Sequence, residues 1–162
     1  MAKRNVRRFN GPILAHGFQQ QGVHAFTASA TLNKQDHSGR TLVANAAAGL
    51  TFTLPASTGS GRTYRILIGT TITSNTTVIQ VANSTDVMVG GIVINDIGDT
   101  TAATADFFPT ASTSDTITLT AAIGAGKKGD WIELEDFAAG FYAVRGMLQG
   151  ETDPTNPFSA AV

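Results

Sequence analysis

No cysteine occurs anywhere in the 162-residue chain. Its absence excludes a disulfide framework, a zinc–thiolate site and a thiol nucleophile, so stability must come from core packing or from association with other chains. Charge is sparse as well, at 14% of residues, and aromatic residues make up only 7%, with one Trp and two Tyr. So few and scattered large rings argue against a sugar-stacking platform. Glu, a common helix builder, appears three times. No run of about 18 apolar residues exists, so no membrane-spanning helix is expected. The basic start, MAKRNVRRFNGPIL, lacks the apolar stretch of a secretory signal.

What the chain does have is Thr, Ser and short apolar runs. Hydrophobic residues reach 42%, and 23 Thr and 9 Ser accompany the Val and Ile. These are residues that suit a pleated, half-buried surface. From His24 onward, segments such as RTLVAN (40–45), TYRILIG (63–69), DVMVGGIVI (86–94), DWIELED (130–136) and GFYAVRG (140–146) each fit a strand. Between such segments lie turn clusters rich in Gly, Ser, Asn and Asp. The even rhythm predicts one all-β domain over residues 24–146, an antiparallel β-sandwich, jelly-roll-like or barrel domain. Residues 1–23, with scattered glycines and no period, predict an extended basic N-terminal arm. Residues 147–162, with Pro154 and Pro157, predict a C-terminal tail running over the surface.

The sign of charge is uneven. Residues 1–35 hold Lys3, Arg4, Arg7, Arg8 and Lys34 and no acid, while the remainder holds twelve Asp and Glu against six Lys and Arg. The chain reads as a basic arm on an acidic body. Such an arm could contact nucleic-acid phosphates. An acidic body would repel phosphate, so protein docking is the preferred reading and a nucleic-acid partner is not expected.

One stretch, GAGKKG (124–129), invites a nucleotide reading. A phosphate loop needs G-x-x-x-x-G-K-[ST] ahead of a helix, so that backbone N–H groups and a helix N-terminus face the anion. Here Lys128 stands in the Ser/Thr position, Ala121 replaces the first glycine, and DWIELED alternates with period two. The stretch predicts a turn. Its plan is repeated upstream: TFTLPASTGSGRTYRIL (51–67) and TITLTAAIGAGKKGDWIEL (116–134) share a strand, a Gly-x-Gly-basic turn and an aromatic opening the next strand.

Other candidates give no catalytic set. Asp130, Glu133, Glu135 and Asp136 could supply paired carboxylates, but alternation puts Glu133 and Glu135 with Trp131 on one face, expected to meet solvent or a subunit. Asp96 and Asp99 lack the spacing of a calcium loop. His16, His24 and His37 show no metal-ligand pairing and read as hydrogen-bonded loop or interface residues. Neither an enzyme nor a cofactor or metal is expected.

The phrases GRTLVANAAAGLTFTLP (39–55, within 37–91), STSDTITL (112–119) and KKGDWIELEDFAAGFYAVRG (127–146) resemble head decoration (cement) proteins of tailed double-stranded-DNA bacteriophages, of the marine and environmental type. The resemblance spans most of residues 37–146. It implies a small β domain on the outer surface of the capsid, often a homotrimer, that locks neighbouring major capsid protein subunits together. Another virion part, such as a head fibre, tail protein or carbohydrate-binding adhesin, is the alternative. The arm and tail have no counterpart in the resemblance. Capsid contacts are therefore assigned on physical grounds to Lys3, Arg4, Arg7 and Arg8, with Phe9, Ile13, Leu14 and Phe18 as apolar anchors.

Overall fold

The computed structural model describes residues 22–98, 104–120, 125–151 and 153–162. They hold twelve strands: β1 (Val23–Phe26), β2 (Ala30–Thr31), β3 (Thr41–Ala44), β4 (Thr51–Thr53), β5 (Thr63–Ile68), β6 (Thr77–Gln80), β7 (Val87–Asp96), β8 (Ala105–Pro109), β9 (Thr116–Leu119), β10 (Trp131–Ala138), β11 (Phe141–Gly150) and β12 (Phe158–Ser159). The all-β reading holds. Alternation is the cause: β10 reads half-buried, buried, half-buried, buried through Trp131, Ile132, Glu133 and Leu134, and β5 repeats the pattern.

The strands form two sheets. One has seven strands in the order β1-β3-β5-β10-β11-β7-β8, and the other has five in the order β12-β9-β6-β4-β2. From β1 to β6 the chain changes sheet at every step, so each sheet receives its strands in parallel. Val23 lies beside Thr41, and Thr41 beside Arg65, in one sheet. Ala30 lies beside Phe52, and Thr51 beside Val78, in the other.

Purely antiparallel pairing is therefore corrected to mixed sheets. The β7–β11 pair is also parallel, whereas β5–β10, β10–β11, β7–β8, β6–β9 and β9–β12 are antiparallel. The turn clusters behave as turns, but those between β3 and β6 carry the chain across to the opposite sheet. They do not fold it back as hairpins.

One core fills the space between the sheets. Leu42, Tyr64, Ile66, Ile92, Ile94, Leu134 and Leu148 come from the larger sheet, and Phe52, Ile79, Ile117 and Leu119 from the smaller. Truncating such side chains to Ala costs about 2–5 kcal/mol each. Two glycines are fixed by close approach. A Cβ on Gly49 (φ +76°) would fall 2.1 Å from the Thr76 carbonyl oxygen, and one on Gly90 (φ +136°) would fall 2.2 Å from that of Val144.

The expected surface tail is corrected too. β11 continues to Gly150, and β12 joins the smaller sheet through Phe158 beside Ile117. Phe158 is buried, and the Ala161 N–H donates to the Asp115 carboxylate at 2.8 Å. A buried aromatic and a carboxylate clamp thus tie down a segment whose composition shows no period.

Candidate functional site: two carboxylate-held turns and an outer sheet face

The described part of the GAGKKG stretch, residues 125–129, is held as a turn by the protein's own carboxylate. Asp130 Oδ2 accepts the N–H groups of Gly126 (2.8 Å) and Lys127 (2.9 Å), and Oδ1 accepts that of Gln149 (3.0 Å). These amides face an anion, as in a phosphate loop, but the anion is the protein's own. Lys127 Nζ pairs with Glu151. Burial pushes the Asp130 carboxyl up, opposed by the three amide hydrogen bonds.

The upstream echo is held in the same way. Asp136 is fully buried. Its Oδ1 accepts the N–H groups of Thr58 (2.8 Å) and Gly59 (2.7 Å) and the Ser57 hydroxyl (2.8 Å), while Oδ2 accepts the Ser60 hydroxyl (2.6 Å). Lys34 Nζ stands 3.9 Å away. Burial alone would raise this carboxyl, but the Ser60 and Ser57 hydroxyls and the Thr58 and Gly59 amides outweigh it and hold it well below the ordinary range. The carboxylates of DWIELED therefore divide by parity. Asp130 and Asp136 point inward with Ile132 and Leu134, and Glu133 and Glu135 point outward with Trp131, as the alternation predicts.

The outward side of the seven-stranded sheet carries an arrangement that sequence reasoning missed. Following the register across all seven strands gives one row: Ala25, Val43, Leu67, Trp131, Met147, Val93 and Phe107. Every member is apolar. Phe107 is 63% exposed and Met147 49%. Gly91 makes room for Phe107, since a Cβ there would lie 2.3 Å from the ring. The next row on one side is charged. Arg65 sits beside Glu133 and Glu133 beside Arg145, with an Arg145–Glu133 ion pair. The row on the other side is uncharged, with Gln149 beside Asn95 and Asn95 beside Ala105. Val23, Val89 and Phe141, at outward positions of the same sheet, are also exposed, and Phe137 lies against Phe141 with ring centroids 6.1 Å apart. A sheet face meant only for water alternates to polar residues; this one does not.

Asn95, Ile97, Gly129, Trp131, Met147 and Gln149 line a shallow depression on this face. The Arg65 guanidinium carbon lies 5.0 Å from the centroid of the Trp131 ring, so a cation covers a ring face that a sugar would need.

The acidic body of the sequence is not an acidic surface. Asp86, Asp96, Asp115, Asp130 and Asp136 are all buried. Asp86 takes the Ser57 N–H at 2.8 Å, and Asp96 takes that of Gly98 at 2.9 Å. Among the described residues, accessible acids do not outnumber Lys and Arg. The surface charge available to attract the basic arm, or to repel phosphate, is correspondingly smaller than the sequence count implies. Asp99 and His16 lie outside the described residues. His24 stacks on Phe26 at 4.4 Å, and His37 Nδ1 accepts the Asn33 N–H at 2.8 Å. Burial, then His24, push His37 down. No cluster of three metal-ligating side chains occurs among the described residues.

Lys3, Arg4, Arg7, Arg8, Phe9, Ile13, Leu14 and Phe18 all lie outside the described residues. Comparison with protein-family models, with curated proteins and with solved structures returns no match for this chain.

Proposed function

We propose that the protein is a virion structural component, a capsid decoration (cement) protein that binds the outer surface of a phage head and stabilises it by bridging major capsid protein subunits. The observation that carries this reading is the apolar row across the whole seven-stranded sheet. It supports a protein that works against other protein chains, because contiguous exposed apolar patches often serve interfaces. The resemblance of residues 37–146 to head decoration proteins supplies the kind of assembly.

In this reading the arm anchors the domain to the shell. Exposed ion pairs from Lys3, Arg4, Arg7 and Arg8 contribute about 0–1 kcal/mol each. Burying Phe9, Ile13, Leu14 or Phe18 contributes about 1.5–3 kcal/mol each. The apolar anchors dominate affinity, and the cations steer and orient.

The test is binding to heads that lack the protein. The full chain saturates them at a lattice-defined stoichiometry. A chain lacking residues 2–22 keeps its strand-rich circular dichroism spectrum but does not bind, and salt weakens the full chain only modestly. Full occupancy by the truncated chain would move the anchor to the body, and no binding by either chain would overturn the proposal.

A further inference from the structure

We infer that the turn joining β2 to β3 is a brace released by acid: a proton on the buried His37 ring breaks the hydrogen bond that closes the turn and frees the turn from β1. This goes beyond the capsid reading and stands without it.

The brace is built around one ring. His37 is buried, and its Nδ1 accepts the Asn33 N–H at 2.8 Å. An imidazole nitrogen that accepts a hydrogen bond carries no proton, so the ring is neutral with its hydrogen on Nε2. The same ring packs on β1. The His24 centroid lies 5.1 Å from it and that of Phe26 5.5 Å, and Phe26 meets Phe52 of β4 edge-on at 5.3 Å. Side chains hold the rest of the turn. The Asn33 Oδ1 accepts the N–H groups of Gln35 and Asp36, and the Ser38 hydroxyl donates to the Lys34 carbonyl. The Arg62 guanidinium donates to that carbonyl and to Ser38 Oγ, while Lys34 Nζ reaches Thr58 Oγ1, in the turn held by Asp136, at 2.6 Å.

A proton arriving at Nδ1 turns the acceptor into a donor, so two N–H groups would face each other at 2.8 Å in a buried contact. The surrounding groups do not compensate. Burial opposes the charge first, then His24 on β1, and Arg40 beside the turn opposes it too. Lys34 and Arg62 are further cations tied to the same turn. Asp36 is the acid that favours a charged ring, and its Oδ2 already accepts the Asn33 side-chain amide at 2.9 Å. The ring relieves the conflict by leaving its site. That uncovers Phe26 and loosens β1, the edge strand that pairs with β3. The sign follows from the lowered folded-state pKa: this contribution to stability is complete above the unfolded imidazole value near 6.5 and is lost as pH falls below it. The window lies above that of the Asp136 carboxylate.

The experiment uses the purified full chain without phage heads, so its failure is separate from failure of the capsid reading. NMR of the imidazole nitrogens should find His37 as the Nε2–H tautomer at about pH 7.5, and its titration should carry the Asn33 and Ser38 amide signals with it. In urea, the unfolding constant should rise about three- to tenfold from about pH 7.5 to about pH 5.5, the upper figure being the limit for one group with an unfolded value near 6.5. His37→Asn puts an acceptor that does not titrate where Nδ1 stood, and should remove that rise with an unchanged dichroism spectrum. A ring that served only as packing would instead give the Asn variant the same loss at every pH. An Asn variant that keeps the wild-type rise would overturn the inference. So would a His37 ring that titrates at or above 6.5 while the Asn33 and Ser38 amides stay still. If the Asn variant does not fold, the wild-type NMR titration decides.

Discussion

Asp130 immediately precedes β10 and Asp136 lies near its far end, and each holds a glycine turn by its backbone amides: Asp130 takes the N–H of Gly126, and Asp136 takes that of Gly59. The intervening Ile132 and Leu134 are buried in the core. β10 thus works as a bar with a clasp at each end, joining the β9–β10 connection to the loop before β5.

The Asp136 clasp predicts acid sensitivity. Its folded-state pKa is depressed, so its contribution is present above the unfolded carboxylate value near 4 and is lost as pH falls below it. Asp130 is shifted the opposite way, so its effect falls above that value and not on the acid limb. Asp136→Asn should cost about 2–4 kcal/mol at pH 7. It should also flatten the loss of stability between pH 5 and pH 2, relative to wild type, in urea titrations. An unchanged acid limb would mean that the clasp does not hold.

Two glycines separate backbone strain from steric conflict. Gly61 has φ +67° with nothing near its absent Cβ, whereas Gly90 has φ +136° and the Val144 carbonyl in the way. Gly61→Ala should cost about 1–2 kcal/mol. Gly90→Ala should cost about 3 kcal/mol or more, as conflict adds to strain, and it should disturb the β7–β11 pairing. Thermal melts of both variants check the ranking.

The two tyrosines of the core should respond differently to loss of the hydroxyl. Tyr142 donates to the Pro55 carbonyl at 2.7 Å. The buried Tyr64 hydroxyl has no partner among the described residues. Tyr142→Phe should lose about 1–2 kcal/mol, and Tyr64→Phe should be neutral or stabilising. Denaturant midpoints of equal and opposite sign to these would refute the assignment.

Nucleotide should not bind GAGKKG, because Asp130 already occupies the amides of Gly126 and Lys127. Calorimetry with ATP or GTP should show no heat of binding. Micromolar affinity abolished by Lys127→Ala would contradict this.

Much of the fold is written in local alternation. DWIELED declares a strand, its inward residues and even the burial of Asp136, since that carboxylate shares parity with Ile132 and Leu134. Its donors are not legible: Gly59 lies 77 residues away, and nothing in ASTGSG names its acid. Period two also says which side of a strand faces inward, but not which sheet the strand joins. The crossings from β1 to β6, and the parallel pairing they create, are therefore not legible in it, and antiparallel pairing is the expectation. The apolar row is hidden for a related reason. Val43, Leu67, Trp131, Met147 and Phe107 each look like an isolated outward hydrophobe, and only the register of seven strands lines them up.

The order of strands in the larger sheet sets a schedule for synthesis. β10 and β11 lie between β5 on one side and β7 on the other, yet they leave the ribosome after both of them. Until residue 150 has emerged, β5 and β7 each present an open edge with no permanent neighbour, and such edges invite pairing with other nascent chains. Insertion of the β10–β11 hairpin is the step that joins the halves. Crowded polysomes, low temperature or stop codons just before Phe141 should therefore send the product into inclusion bodies, whatever the stability of the finished domain.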